Sequence, residues 1–221
     1  MCGIVGHVGE RASRELLIEG LQRLEYRGYD SAGIALLQDG SIESIRAVGN
    51  LANLKVALEA AGQSGSNGSG ATAQTGIGHT RWATHGRVTE ANAHPHFDPS
   101  ERIQIVLNGI VENWVQLRES LDSGAESFTS ETDAEVVAHL IAHYYDGDLV
   151  EAVRKAFNDL RGHYAFVAIS ADEPGLMVAA RKECPLVIGV GEHEHFVASA
   201  IPAFLKETRN VQMVENDEIV A

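Results

Sequence analysis

A cysteine stands at position 2 of this 221-residue chain, directly after Met1. Two readings of it compete. Cysteine is often a small buried apolar residue. If Met1 is removed, however, Cys2 carries a free α-amine beside its thiol. The unperturbed pKa of an α-amine, about 7.7–8.0, lies close to the roughly 8.5 of a cysteine thiol. Such an amine can take the thiol proton and later hand it to a leaving amine, so one residue supplies nucleophile and base.

Other residues have chemistry to offer. Asn108-Gly109 after an apolar run is either an ordinary Asn-Gly turn or an oxyanion hole, with the Asn amide and the Gly backbone N–H aimed at developing charge. In Thr80-Arg81-Trp82-Ala83-Thr84-His85-Gly86, Arg81 offers a planar fork suited to a carboxylate and Trp82 a flat surface to cover a ligand. The alternative is a solvated loop with one half-buried Trp. Asp133 sits in the first turn of a helix, where the dipole alone favours it. Tyr26 to Gly33 reads as a helix stop at Gly28 followed by a turn. His79, His85, His94 and His96 invite a metal, but they lie on an irregular segment with no cysteine nearby, so a metal is disfavoured and His94-Pro95-His96 reads as a structural turn. No cofactor is called for.

Bulk properties narrow the classes. A net charge of -14 repels phosphate backbones and disfavours nucleic acid. No run approaches the ~18 apolar residues of a membrane span, and the N-terminus lacks a secretory pattern. Two cysteines in a chain this long make no disulfide framework, which fits reduced thiols in a cytoplasm.

The positioning elements follow from periodicity. Ile4–Val8 reads as a buried strand starting at Cys2, and Ala12–Tyr26 as a helix with Leu17, Leu21 and Leu24 on one face. Ser31–Leu37 and Ile42–Val48 pair around Gln38-Asp39-Gly40. Leu51–Ala61 is a helix, and Gly62–Gln74 reads as a flexible surface loop. Ile77–Thr80 and Ile103–Leu107 read as strands flanking a long polar stretch. Thr132–Tyr145, with Thr132 and Glu135 at capping-box spacing, and Val150–Leu160 read as helices. Strand-like runs follow at Ala165–Ile169, Leu176–Ala180, Leu186–Val190 and His195–Ala198. This order predicts an α+β domain of stacked sheets with helical layers.

Six segments occur in a familiar order: Cys2-Gly3-Ile4-Val5-Gly6, Arg27 to Gly33, Thr80 to Gly86, Asn92-Ala93-His94-Pro95-His96, Asn108-Gly109-Ile110 and Ser130-Glu131-Thr132-Asp133. Together they resemble the glutaminase domain of the class II glutamine amidotransferases, a branch of the N-terminal-nucleophile hydrolases, over nearly the whole chain. The resemblance implies a four-layer αββα sandwich of two stacked antiparallel sheets covered by helices. It implies that Cys2 forms a γ-glutamyl thioester with L-glutamine and that Asn108 and Gly109 form the oxyanion hole. Arg81 would clamp the α-carboxylate and Asp133 pair with the α-ammonium. Thr84 and His85 would line the site, with Trp82 on a lid.

Within the family, the wording around Arg27 and Arg81 is similar to the branch that passes ammonia to fructose-6-phosphate on a sugar-phosphate isomerase domain. That domain would lie beyond Ala221, in a longer enzyme expected to be a homodimer. Leu107 stands where members often have His, which removes a polar neighbour of the oxyanion hole. Ala200 replaces a common Asp, and Gly62–Gln74 reads as an insertion. Two other readings stand beside this one: the glutaminase domain of an amidophosphoribosyltransferase, and a non-catalytic glutamine-binding module.

Overall fold

The computed structural model describes residues 2–63, 70, 72–83, 86–121 and 128–221. In chain order the elements are β1 (Gly3–Gly9), α1 (Ser13–Leu24), β2 (Ser31–Gln38), β3 (Ser41–Val48), α2 (Leu51–Gln63), β4 (Thr75–Arg81), β5 (His96–Phe97), β6 (Ile103–Val111), α3 (Trp114–Leu121), α4 (Asp133–Tyr144), α5 (Leu149–Asp159), β7 (Gly162–Ser170), β8 (Val178–Lys182), β9 (Val187–Val190), β10 (Glu194–Ala198), β11 (Val211–Met213) and β12 (Glu218–Val220). Among the described residues they form a seven-stranded sheet, β11-β9-β10-β1-β4-β2-β3, and a five-stranded sheet, β12-β8-β7-β6-β5. Every named pairing is antiparallel.

Alternation along the strands builds three cores. In β2, Ala32, Ile34 and Leu36 face α1 and α2 and pack with Leu17, Leu21, Leu24, Leu54 and Leu58. Their neighbours Ala35 and Leu37 face the other way and meet Val106, Ala165, Val167 and Ile169 of the second sheet. The opposite faces of β6 and β7, through Ile103, Ile105, Leu107, Phe166 and Ala168, pack under α4 and α5. The period of two assigns each side chain to one side of its sheet. The layer order is therefore helices, sheet, sheet, helices, the αββα sandwich.

Local chemistry accounts for several joints. Asp39 and Gly40 both have positive φ, 52° and 72°, the signature of the tight hairpin turn that matches strand twist. Asp148 caps α5 by accepting from the Glu151 backbone N–H at 2.9 Å.

Some expectations shift. Gly62 belongs to the last turn of α2, not to a loop, and residues 64–69 and 71 of the expected loop lie outside the described set. The capping box on α4 does not form. Thr132 is the N-cap but makes no side-chain cap bond, because its hydroxyl bonds the ring of His96 at 3.0 Å. Glu135 instead accepts from the backbone N–H groups of Thr129 and Ser130, both at 2.7 Å. Helix α3 and strands β5, β11 and β12 are additions to the elements read from the sequence; His96, read as part of a turn, begins β5. Among the described residues, no helix is long and apolar enough to cross a membrane.

Candidate active site

The start of β1, the end of β4 and the start of β2 lie at one end of the larger sheet, since Gly3 pairs with Thr80 and Ser31 with Arg81. The Asn108-Gly109 stretch of β6 faces this end from the second sheet. Cys2 meets both. Its Sγ accepts from the Trp82 backbone N–H at 3.2 Å, and its carbonyl accepts from the Asn108 amide nitrogen at 3.1 Å.

A small cavity opens here. Its walls are Cys2, then Arg81 and Trp82 from the end of β4, Leu107 and Gly109 from β6, Thr132, Asp133 and Ala134 from the start of α4, and His94. It holds about 30 Å³, room for a water molecule or two. Trp82 is 44% exposed and its ring packs on Tyr29, with centroids 5.4 Å apart.

The segment 27–33 holds the Arg81 end in place. Gly28 has an extended φ of -166°, so it does not act as the left-handed helix stop read from sequence. It is needed for close approach: a Cβ there would lie 2.7 Å from the Arg81 carbonyl carbon. Asp30 donates its backbone N–H to the Arg81 carbonyl at 3.0 Å and accepts from Ala83 N–H at 2.8 Å. Two further segments lock together. Asn92 exchanges hydrogen bonds with Glu131, accepting from its N–H at 2.8 Å and donating to its carboxylate at 3.1 Å.

Gly109 is not a turn residue but part of β6. Its φ of 104° and a virtual Cβ 2.0 Å from the His163 carbonyl exclude any other residue without rearrangement. Asp133 is buried and accepts from the Val111 backbone N–H at 2.7 Å. Arg81 donates to the Arg87 carbonyl at 3.1 Å. Thr84 and His85 lie outside the described residues.

Electrostatics are set by burial. It pushes the Cys2 thiol up, against a hydrogen bond from Trp82 that pulls it down, so the sulfur rests as a thiol and needs a base to react. Burial draws Arg81 down while Cys2, Asp30 and Asp133 support its charge. Burial holds His79 and His96 at about 3 and His94 well below its ordinary value. These three rings are neutral and packed together: His79 stacks on His94 at 4.0 Å, and His94 meets His96 edge-on at 4.5 Å. Among the described residues, neither ring nitrogen of His94 has a hydrogen-bond partner.

His94 was read from sequence as part of a structural turn, and its place in the cavity wall was missed. So was that of Thr132. Leu107 turns its side chain toward α4 and packs in the apolar cluster with Ala134, so the wall it supplies is apolar.

A family profile described as "Glutamine amidotransferase domain" matches residues 79–206. The chain belongs to the class II glutamine amidotransferases. The glutamine–fructose-6-phosphate aminotransferase (isomerizing) of Caldanaerobacter subterraneus subsp. tengcongensis is 49% identical over 219 residues, covering 99% of this chain and 35% of the relative. The enzyme of the same name from Symbiobacterium thermophilum is 52% identical over 215 residues, covering 97% and 34%. The chain thus spans about a third of the length of these curated relatives. Among solved structures, the glutamine phosphoribosylpyrophosphate amidotransferase of B. subtilis, complexed with ADP and GMP, aligns with a TM-score of 0.80 at 26% identity, over 99% of this chain and 46% of that one.

Proposed function

We propose that this chain hydrolyses L-glutamine to glutamate and ammonia with Cys2 as nucleophile. The observation that carries the reading is the convergence on Cys2. Cys2, Gly109, Arg81 and Asp133 line one cavity, and the Asn108 amide nitrogen bonds the Cys2 carbonyl at 3.1 Å, although these residues are spread over more than a hundred residues of chain.

With Met1 removed, the Cys2 α-amine takes the thiol proton as sulfur attacks the γ-carbonyl. The carbonyl π electrons move onto oxygen, and the Asn108 amide nitrogen and Gly109 N–H stabilise that oxyanion. Its collapse expels the amide nitrogen, which takes the proton back from the α-ammonium and leaves as ammonia. Water, deprotonated by the same amine, then attacks the thioester, and the thiol reclaims its proton as glutamate is released. Arg81 binds the substrate carboxylate and Asp133 its ammonium. Trp82 covers the substrate, and Thr84 and His85 line the site.

The ammonia is destined for fructose-6-phosphate, giving glucosamine-6-phosphate on the part of a longer, dimeric enzyme that this chain does not span. Identity near half to the two aminotransferases supports this acceptor over the phosphoribosylpyrophosphate branch, whose structure shares only 26%. The test is glutamate release from glutamine by the parent and by Cys2→Ala. The parent should turn over, and the variant should lose on the order of 10⁵–10⁶ in kcat, as removal of an enzyme nucleophile does, while still binding glutamine. A parent that binds glutamine without releasing glutamate would make this a binding module.

A further inference from the structure

We propose that His79 is a positioning residue for the glutaminase reaction, fixing the Asn108 side-chain amide so that its nitrogen, not its oxygen, faces Cys2. The role rests on Asn108 acting as the oxyanion donor.

The two ends of an asparagine amide are nearly the same shape, and a flip exchanges donor for acceptor. With the oxygen turned toward Cys2, Asn108 would repel the oxyanion it is meant to hold. Something must therefore select the orientation. His79 Nε2 lies 3.1 Å from the Leu107 carbonyl and 3.0 Å from Asn108 Oδ1. A carbonyl only accepts, so Nε2 carries the ring hydrogen, and that N–H specifies oxygen at the near end of the Asn108 amide. At the far end the Cys2 carbonyl, also only an acceptor, takes the nitrogen at 3.1 Å. The nitrogen's second hydrogen is left to point at the reacting carbonyl.

His79 is built for this work. It sits in β4 on the same face as Ile77, between the sheets, and is 1% exposed. Its Nε2 meets Asn108 Oδ1, and the Asn108 nitrogen in turn meets the Cys2 carbonyl, so Asn108 stands between His79 and Cys2 and His79 acts through it. Burial keeps the ring neutral, and the His94 ring stacked 4.0 Å away restrains its plane. The Cys2 carbonyl belongs to the residue that reacts, whereas His79 grips Asn108 from the closed interior.

The experiment measures kcat and KM for glutamine in the parent, His79→Gln, His79→Asn, His79→Leu, Asn108→Ala and the double variant His79→Leu/Asn108→Ala. A Gln amide nitrogen reaches the position of Nε2, so His79→Gln should keep kcat within about threefold. An Asn amide stops at the position of Nδ1, so His79→Asn should lose about 10- to 100-fold in kcat, as should His79→Leu. Losing an oxyanion donor outright costs about 10²–10³, and a misoriented one retains a share. KM should change by less than about threefold, since the oxyanion exists only in the transition state. In the Asn108→Ala background the Leu substitution should cost nothing further. Equal kcat for the Gln and Asn variants, or additive losses in the double variant, would overturn the positioning role. Should the Leu variant fail to fold, the Gln and Asn pair still decides. A parent that releases no glutamate overturns the glutaminase reading and this role with it. An active parent with equal Gln and Asn variants overturns this role alone.

Discussion

The two ends of β1 are built to opposite specifications. At the far end, His7 is buried and both ring nitrogens are satisfied, by the Ser13 hydroxyl at 2.8 Å and the Glu194 carboxylate at 3.0 Å. Arg11 grips the same carboxylate with two bonds, at 2.8 and 2.6 Å, and reaches Glu207 at 2.7 Å. At the near end, the thiol of Cys2 is held by backbone groups of Trp82, and the neighbouring His94 has no hydrogen-bond partner among the described residues. One strand thus carries a saturated clamp and an unsaturated pocket. Polar groups whose partners are all inside the protein hold a fold together; groups meant to meet a substrate must be left something to bind. Substitutions at the near end should change rate with little change in stability, and those at the far end the reverse.

The largest effect short of deleting the nucleophile comes from the α-amine. A form that retains Met1, made by placing a bulky residue after it to block removal and verified by N-terminal mass, should lose about 10²–10⁴ in turnover, the ordinary contribution of a general base. An amide nitrogen cannot accept the proton of a thiol that burial has already pushed up. Glutamine affinity should survive, because in the proposed binding mode Arg81 and Asp133 hold the other end of the substrate. Full activity in a chain proven to keep Met1 would move the base elsewhere, with His85 the first candidate.

Next comes Asn108→Ala, expected to lower kcat by about 10²–10³ with little change in KM. Near-normal turnover would reduce Asn108 to a strand residue that happens to touch the Cys2 carbonyl. Asp133→Asn should act on binding instead. Asn retains an oxygen for the Val111 N–H that Asp133 now caps, so the fold is spared while the charge is lost. A charge-assisted contact of roughly 1.5–3 kcal/mol corresponds to a KM rise of about 10- to 100-fold. An unchanged KM would leave Asp133 a helix-start residue only.

The layered fold and most of the cavity were legible in the sequence because they depend on local signals. The order of strand-like and helical runs pointed to stacked sheets with helical layers, and the motif order pointed to Cys2, Arg81, Gly109 and Asp133. What escaped depends on contacts distant in sequence. His79 and His94 were weighed as metal candidates and set aside, His94 as part of a structural turn, yet they become a buried stack when the second sheet closes over β4. Gly28 read as a helix stop, because nothing nearby in sequence announces the Arg81 backbone pressed against it. The capping box had the right spacing but lost Thr132 to His96, 36 residues away. Strands β11 and β12, three residues each, are too short to show a period. Helix α3 buries only Leu121 fully among its residues, so its apolar stripe is faint.

The smallest effect tests the far end. Glu194→Gln keeps an oxygen for the His7 ring but removes the charge that Arg11 grips. Arg11 is half exposed, so the pair contributes about 1 kcal/mol at most, a fall in Tm of roughly 2–4 °C for a chain of this length. The pH dependence fixes the sign. Arg11 first, and then His7, hold the Glu194 carboxyl below its ordinary value. That stabilisation is fully present above the unfolded carboxylate value of about 4.3 and is lost as pH falls through the lower folded value. Burial likewise lowers His7, so the neutral ring stabilises the fold above about 6.5 and loses this as acid drives protonation of the unfolded chain. The gap in Tm between parent and variant should therefore be widest near pH 7 and close in acid, where Glu194 no longer carries its charge. Glutaminase kcat at pH 7 should stay within about twofold of the parent, since the clamp lies at the opposite end of β1 from Cys2. A Glu194→Gln variant with unchanged melting but altered kcat would show that the two ends of the strand are coupled, and would end the division of labour between them.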